Sequence, residues 1–169
     1  TKYYIIFHKH FIGNSDDTTN PESFREEIKA FQQEREDYLK TSASSPMKAM
    51  PDGYKDVSYY PADISFKVKA SVEKINELAY LTIQESTGKQ AKYVKYANLR
   101  FKLNDEDLTL LVLKPVGFGQ MNQLFTAFAD ETSGTETYGG GRYLDLNFKN
   151  ASSITLDFNK AYNPYCAYN

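Results

Sequence analysis

Two aspartates near the C-terminus carry the most definite chemistry in this chain. Arg142-Tyr143-Leu144-Asp145-Leu146-Asn147-Phe148 and Ile154-Thr155-Leu156-Asp157-Phe158 alternate apolar and polar residues, so each reads as a strand. A hairpin centred near Ala151 pairs Leu144 with Phe158 and Leu146 with Leu156. The same register sets Asp145 opposite Asp157, with Cβ atoms about 4.5–5.5 Å apart. Two carboxylates at about 5 Å repel by roughly 1 kcal/mol in water and roughly 3 kcal/mol at an effective dielectric near 20. On a covered face the pair therefore shares a proton, binds a cation or accepts donors, for which Asn159, Tyr143 and Tyr162 are placed. On a solvated face it carries no special meaning. A hydrolase uses such a pair as acid and base, or to hold a divalent cation.

Arg142 has the parity of Leu144 and points to the apolar side at the strand's entrance. A buried guanidinium there needs a carboxylate or an anionic ligand. Glu136 and Glu131, in the preceding segment, are the expected partners. That segment, residues 130–141, reads Asp-Glu-Thr-Ser-Gly-Thr-Glu-Thr-Tyr-Gly-Gly-Gly. Tyr138 is its only apolar anchor. It leads into a strand and lacks the Gly-Lys-Ser/Thr of a phosphate loop, so phosphate binding fits poorly and a hairpin connection is the plainer reading. Cys166 is the single cysteine and cannot form an internal bridge. The two histidines, His8 and His10, are far from it in sequence, which disfavours a Cys–His nucleophile. Two histidines without a nearby Cys or carboxylate are a weak metal signal, and no metal site is expected.

The elements that must position these residues follow from periodicity. Asn20-Pro21 reads as an N-cap followed by proline at the first helical position. Phe24, Ile28, Phe31, Tyr38 and Leu39 then form an apolar stripe on a helix ending near Lys40, which packs on the domain's own sheet. From Tyr54 the period changes to two. Strands are expected at 64–72, 78–84, 93–103, 108–114 and 124–129, with turns at 86–89, 104–107 and 117–119. No long helical pattern separates them. The fold class is therefore mainly β: an antiparallel meander curled into a barrel or sandwich, with one N-terminal α-helix packed on it.

At 169 residues and 19.3 kDa the chain suits one domain, spanning 21–169, after an N-terminal segment at 1–20. With 20 basic and 22 acidic residues the formal charge is −2, which argues against nucleic-acid binding. No apolar run approaches the roughly 18 residues of a membrane span. The opening, Tyr3-Tyr4-Ile5-Ile6-Phe7 to Phe11-Ile12, reads either as the end of a trimmed signal or anchor or as an ordinary first strand. A membrane contact would come only through such a removed anchor.

Two blocks, Glu136-Thr137-Tyr138-Gly139-Gly140-Gly141-Arg142-Tyr143-Leu144-Asp145-Leu146 and Leu156-Asp157-Phe158-Asn159-Lys160-Ala161-Tyr162-Asn163-Pro164-Tyr165-Cys166-Ala167-Tyr168, resemble the bacterial domain-of-unknown-function 1684 family. The resemblance extends through 130–133 and, more loosely, through Ser45-Pro46, Tyr59-Tyr60-Pro61 and Glu34-Arg35. It implies a small mainly β protein of the cell envelope or periplasm, a cytoplasmic one remaining open. No activity transfers from it, and it leaves the cofactor question open. Residues matching its signature are Glu136, Tyr138, Arg142, Asp145, Asp157, Asn159, Tyr162, Asn163 and Cys166. Of these, Asp145 and Asp157 are the catalytic candidates, and the others are candidates for ligand binding. The family usually continues with a Cys-Pro-Leu-Pro-Pro block and another strand, so the resemblance implies a last strand and a second cysteine not present in this sequence. The expected role is a binding or structural module for a small polar ligand or a protein partner. The alternative is a hydrolase built on Asp145 and Asp157.

Overall fold

A computed structural model describes residues 20–50, 54, 56–84, 90–117 and 123–168. The segment with His8 and His10, the turn expected at 86–89 and most of the break at 117–119 lie outside the described residues.

Helix α1 (Pro21–Thr41) begins as its sequence dictates. The Asn20 side chain accepts from the Glu22 amide at 2.9 Å, and Pro21 fills the first position, where its missing N–H costs nothing. Phe24, Ile28 and Leu39 are buried along one stripe. The helix stops at Ser42, and the Ser45 hydroxyl donates to the Leu39 carbonyl at 2.6 Å.

Among the described residues seven strands follow: β1 (Lys67–Lys74), β2 (Tyr80–Gln84), β3 (Gln90–Leu103), β4 (Glu106–Pro115), β5 (Leu124–Phe128), β6 (Arg142–Leu146) and β7 (Ser153–Asp157). The pairings between these strands are antiparallel, in the order β6-β5-β4-β3-β1-β7 with β2 beside β3. The sheet curls into a half-barrel, the mainly β class expected from the sequence. The run β3-β4-β5-β6 is a meander. Asn104 and Asp105, both at positive φ (51° and 60°), make the two-residue turn joining β3 to β4. At the other end the chain departs from a meander. β1 and β2 lie end to end along β3, on residues 97–101 and 90–94, and β7 returns to pair with β1.

Ala97, Leu99, Phe101 and Leu103 of β3, with Leu110 and Val112 of β4, fill the concave side together with Leu144, Leu146, Leu156 and Phe158. Leu99, Leu110, Val112 and Leu156 are fully buried. A smaller cluster, Leu111, Leu113 and Phe125, lies on the opposite face.

The hairpin expected around Ala151 does not form. β6 pairs with β5, setting Asp145 beside Phe125, and β7 pairs with β1, setting Asp157 beside Lys67. Each gains a five-residue ladder on an apolar neighbour, and Leu144, Leu146, Leu156 and Phe158 still reach one core. β6 and β7 are thus the two edges of the curled sheet, antiparallel to each other across a seam.

Candidate functional site

The seam is closed by covering, not by a ladder. After β7 the chain makes a 3-10 turn at Phe158–Lys160 and crosses to β6, where Tyr143 and Tyr162 exchange backbone hydrogen bonds of 2.8 and 3.0 Å. Helix α1 borders both edges. On the β7 side its Glu27 accepts from Lys160 and lies 3.9 Å from the Lys67 ammonium, and these contacts hold its carboxyl below the usual range, the Lys160 hydrogen bond foremost. On the β6 side the Arg35 guanidinium stacks on the Tyr162 ring at 4.1 Å.

Between helix and edges lies a cleft of about 300 Å³, lined by Phe31 and Arg35 of α1, Leu144, Asp145 and Leu146 of β6, Lys67, Thr155 and Asp157 of the opposite edge, and Lys160 and Tyr162. Asp145 and Asp157 therefore share one cleft by the curl of the sheet, without the cross-strand contact that a hairpin would impose. Their surroundings differ. Asp145 is exposed, and its Oδ1 accepts from the Tyr162 hydroxyl at 2.6 Å. Burial, and then that carboxylate, push the Tyr162 hydroxyl well above the usual tyrosine range, so it stays a donor. Asp157 is only 9% exposed. Its Oδ1 accepts from the Asn159 amide (3.1 Å) and side chain (2.8 Å), while its Oδ2 is buried without a partner.

The remaining candidates lie elsewhere. Arg142 pairs with Asp130, correcting the expected Glu136 or Glu131. Phe128 is its register partner, and Asp130 follows two residues on, where the chain leaves β5; the guanidinium lies 5.1 Å from the Phe128 ring centre. Glu136 instead accepts from the Tyr60 hydroxyl at 3.0 Å. The glycine-rich segment folds on itself. Asp130 Oδ1 accepts from the Thr132 amide, and the Thr132 carbonyl accepts from the Glu136 and Thr137 amides, each at 2.9 Å. The neighbouring Cys166 thiol, and then burial, raise the pKa of the Tyr138 hydroxyl. Asn159 anchors the segment before β1, accepting from the Asp63 amide and donating to its carbonyl at 2.8 Å each. Asn163 neighbours Tyr168, whose hydroxyl burial pushes above the usual tyrosine range. These residues brace the C-terminal strap and the β5–β6 connection; of the signature, the cleft collects Asp145, Asp157 and Tyr162.

Sequence reasoning missed Arg35, Lys67 and Lys160. For Arg35 a signal existed. It stands four residues after Phe31 and four before Leu39, where the helical stripe calls for an apolar side chain. A larger hollow of about 530 Å³ at the start of α1 is lined only by exposed side chains of residues 20–29 and holds no buried polar group. Among the described residues no three His, Cys, Asp or Glu side chains gather as a metal site would require, and no helix is long and apolar enough to cross a membrane.

The model of the family described as "Protein of unknown function (DUF1684)" matches residues 52–169. The solution NMR structure of an uncharacterised protein of Haloarcula marismortui is similar, with 28% identity and a TM-score of 0.67 over 87% of this chain and 82% of that one. No curated protein matches the chain.

Proposed function

We propose that this chain, which belongs to the DUF1684 family, is a binding module that holds a small polar ligand in the cleft between its two sheet edges. The observation that carries this reading is the Asp157 carboxylate. A buried oxygen without a donor costs about 1–3 kcal/mol, more for a charged group. That cost is accepted where a partner arrives from outside. Asn159 already fixes Oδ1, so the carboxylate cannot turn to satisfy Oδ2 without losing bonds it has.

The test is a thermal-shift series on the whole chain with sugars, nucleotides, carboxylates and amines. A ligand at a hundred times its Kd stabilises by about 2.7 kcal/mol. At least one class should stabilise the wild type, and D157N should lose the effect. A series without any shift, or one that D157N leaves unchanged, overturns the reading.

A hydrolytic reading has one observation of its own: one exposed and one buried carboxylate line the same cleft. Acid–base pairs use such unequal surroundings. Under it, D145N would abolish turnover of a bound substrate while leaving its binding within a few fold. Binding lost together with turnover would remove it.

A further inference from the structure

We propose that the ligand of this cleft is a zwitterion the size of a free amino acid, its ammonium on Asp157 and its carboxylate on Arg35. This rests on the cleft being the binding site. The charges lining the cleft are mostly engaged. Lys67 and Lys160 share Glu27, and Asp145 holds the Tyr162 hydroxyl. Two groups remain. Asp157 Oδ2 is buried and lacks a donor. The Arg35 guanidinium carbon lies over the Tyr162 ring, 4.1 Å from its centre, and no carboxylate among the described residues pairs with it. Stacking occupies the face of a guanidinium and leaves its N–H edge open, and that edge fits a carboxylate through two parallel bonds. A buried carboxylate in turn is matched best by a charged donor, whose bond is about twice as strong as a neutral one.

One residue with an unmatched negative group and one with an unmatched positive group therefore line the same cleft. A simple anion would leave Asp157 as it is, and a simple amine would leave Arg35. A molecule carrying both charges answers both and brings no net charge into a half-buried site. The volume agrees: about 300 Å³ is the room of roughly ten water molecules and the lower end of ligand pockets. Leu144, Leu146 and Phe31 supply an apolar wall for an aliphatic part.

The experiment is calorimetric titration of the whole chain with free amino acids. Each one that binds is compared with its two halves, as L-leucine with 4-methylpentanoate, which lacks the ammonium, and 3-methylbutylamine, which lacks the carboxylate. The zwitterion should bind at least tenfold more tightly than either half. D157N should weaken the zwitterion and the amine by roughly ten- to a hundredfold and spare the carboxylate. R35Q should weaken the zwitterion and the carboxylate and spare the amine. If D157N does not fold, the R35Q pattern decides. A carboxylate or amine that binds as tightly as its amino acid overturns the zwitterion while the cleft stands. So does a panel in which no amino acid binds but some other polar solute stabilises the wild type and not D157N. Binding that neither substitution alters removes the cleft as well.

Discussion

Replacing Asp130 by Asn isolates the buried ion pair that ties the β5–β6 connection to the sheet. The Asp130 side chain is fully buried and that of Arg142 is 14% exposed, so the pair is screened little by solvent. Asparagine keeps the oxygen that Thr132 uses and sets an uncharged NH2 donor where the acceptor of the Arg142 hydrogen bond stood. What remains is a guanidinium enclosed by Phe128 and Tyr60, with an Nε that is already buried without a partner. Leaving one member of a buried pair uncompensated costs about 3–5 kcal/mol. At roughly 2–4 °C per kcal/mol for a chain of this length, Tm should fall by about 6–20 °C. Urea denaturation measures the loss directly, with an unchanged slope showing that the unfolded state is the same. The double variant D130N/R142M removes both charges and should recover most of the loss, giving a coupling energy above about 2 kcal/mol. A D130N loss below about 1 kcal/mol, or a double variant that loses the sum of the two single changes, would refute the reasoning.

Two further outcomes follow from the same geometry. Gly141 has φ of 90°, and a Cβ there would stand 2.5 Å from the Phe128 carbonyl oxygen; Gly141→Ala should therefore cost about 2–4 kcal/mol in urea denaturation, because backbone and not a side-chain tip must yield. At Gly140 the added carbon would meet the Tyr138 ring, which can swing aside, so Gly140→Ala should cost under about 1 kcal/mol, and equal losses at the two positions would contradict this. The second outcome is alkaline sensitivity. Burial pushes the hydroxyls of Tyr59 and Tyr165 up to about 12. Unfolded tyrosines ionise near 10, so above that pH the unfolded chain has shed protons that the folded chain still holds. The contribution is intact below about pH 10 and is lost as the pH rises through about 12. The urea midpoint should fall across this window together with the rise of tyrosinate absorbance, and Tyr59→Phe should flatten the fall; a constant midpoint would be the contrary result.

The strands and the helix were legible because their signals are local. Asn20-Pro21 sets the start of α1, and the alternation through Ala97, Leu99, Phe101 and Leu103 names the buried face of β3 without reference to any other strand. The parity of β6 and β7 was legible for the same reason. Their partners were not. Whether β6 pairs with β7 or with β5 depends on what lies across the sheet, and a six-residue connection between them permits either. The partner of Arg142 was missed in the same way. Glu131 and Glu136 are close in sequence, but the Phe128–Arg142 register brings Asp130 to the guanidinium. Lys67 and Lys160 carry no signal, since a lysine bordering a strand is ordinary. Arg35 did carry one, a charge set where the helical stripe should be apolar, and its meaning appears only once the helix is seen to lie against the seam.

The seam explains why polar groups collect where they do. A curled sheet with unpaired edges offers N–H and C=O groups to any passing strand, and closing β6 onto β7 would remove that hazard. Among the described residues the Tyr143–Tyr162 bridge closes one end, and α1 borders the cleft that remains. Covering an edge with side chains instead of a ladder leaves room that a ladder would fill. The groups facing that room are then chosen by position: Asp157 by its register with Lys67, Tyr162 by the bridge to Tyr143, Arg35 by the helix turn that meets Tyr162. None of the three is needed to pair the strands, since their backbones would do so with any side chain. Under the proposed reading it is the charges of Asp157 and Arg35 that answer a ligand, and the unpartnered Asp157 Oδ2 is the observation that favours it.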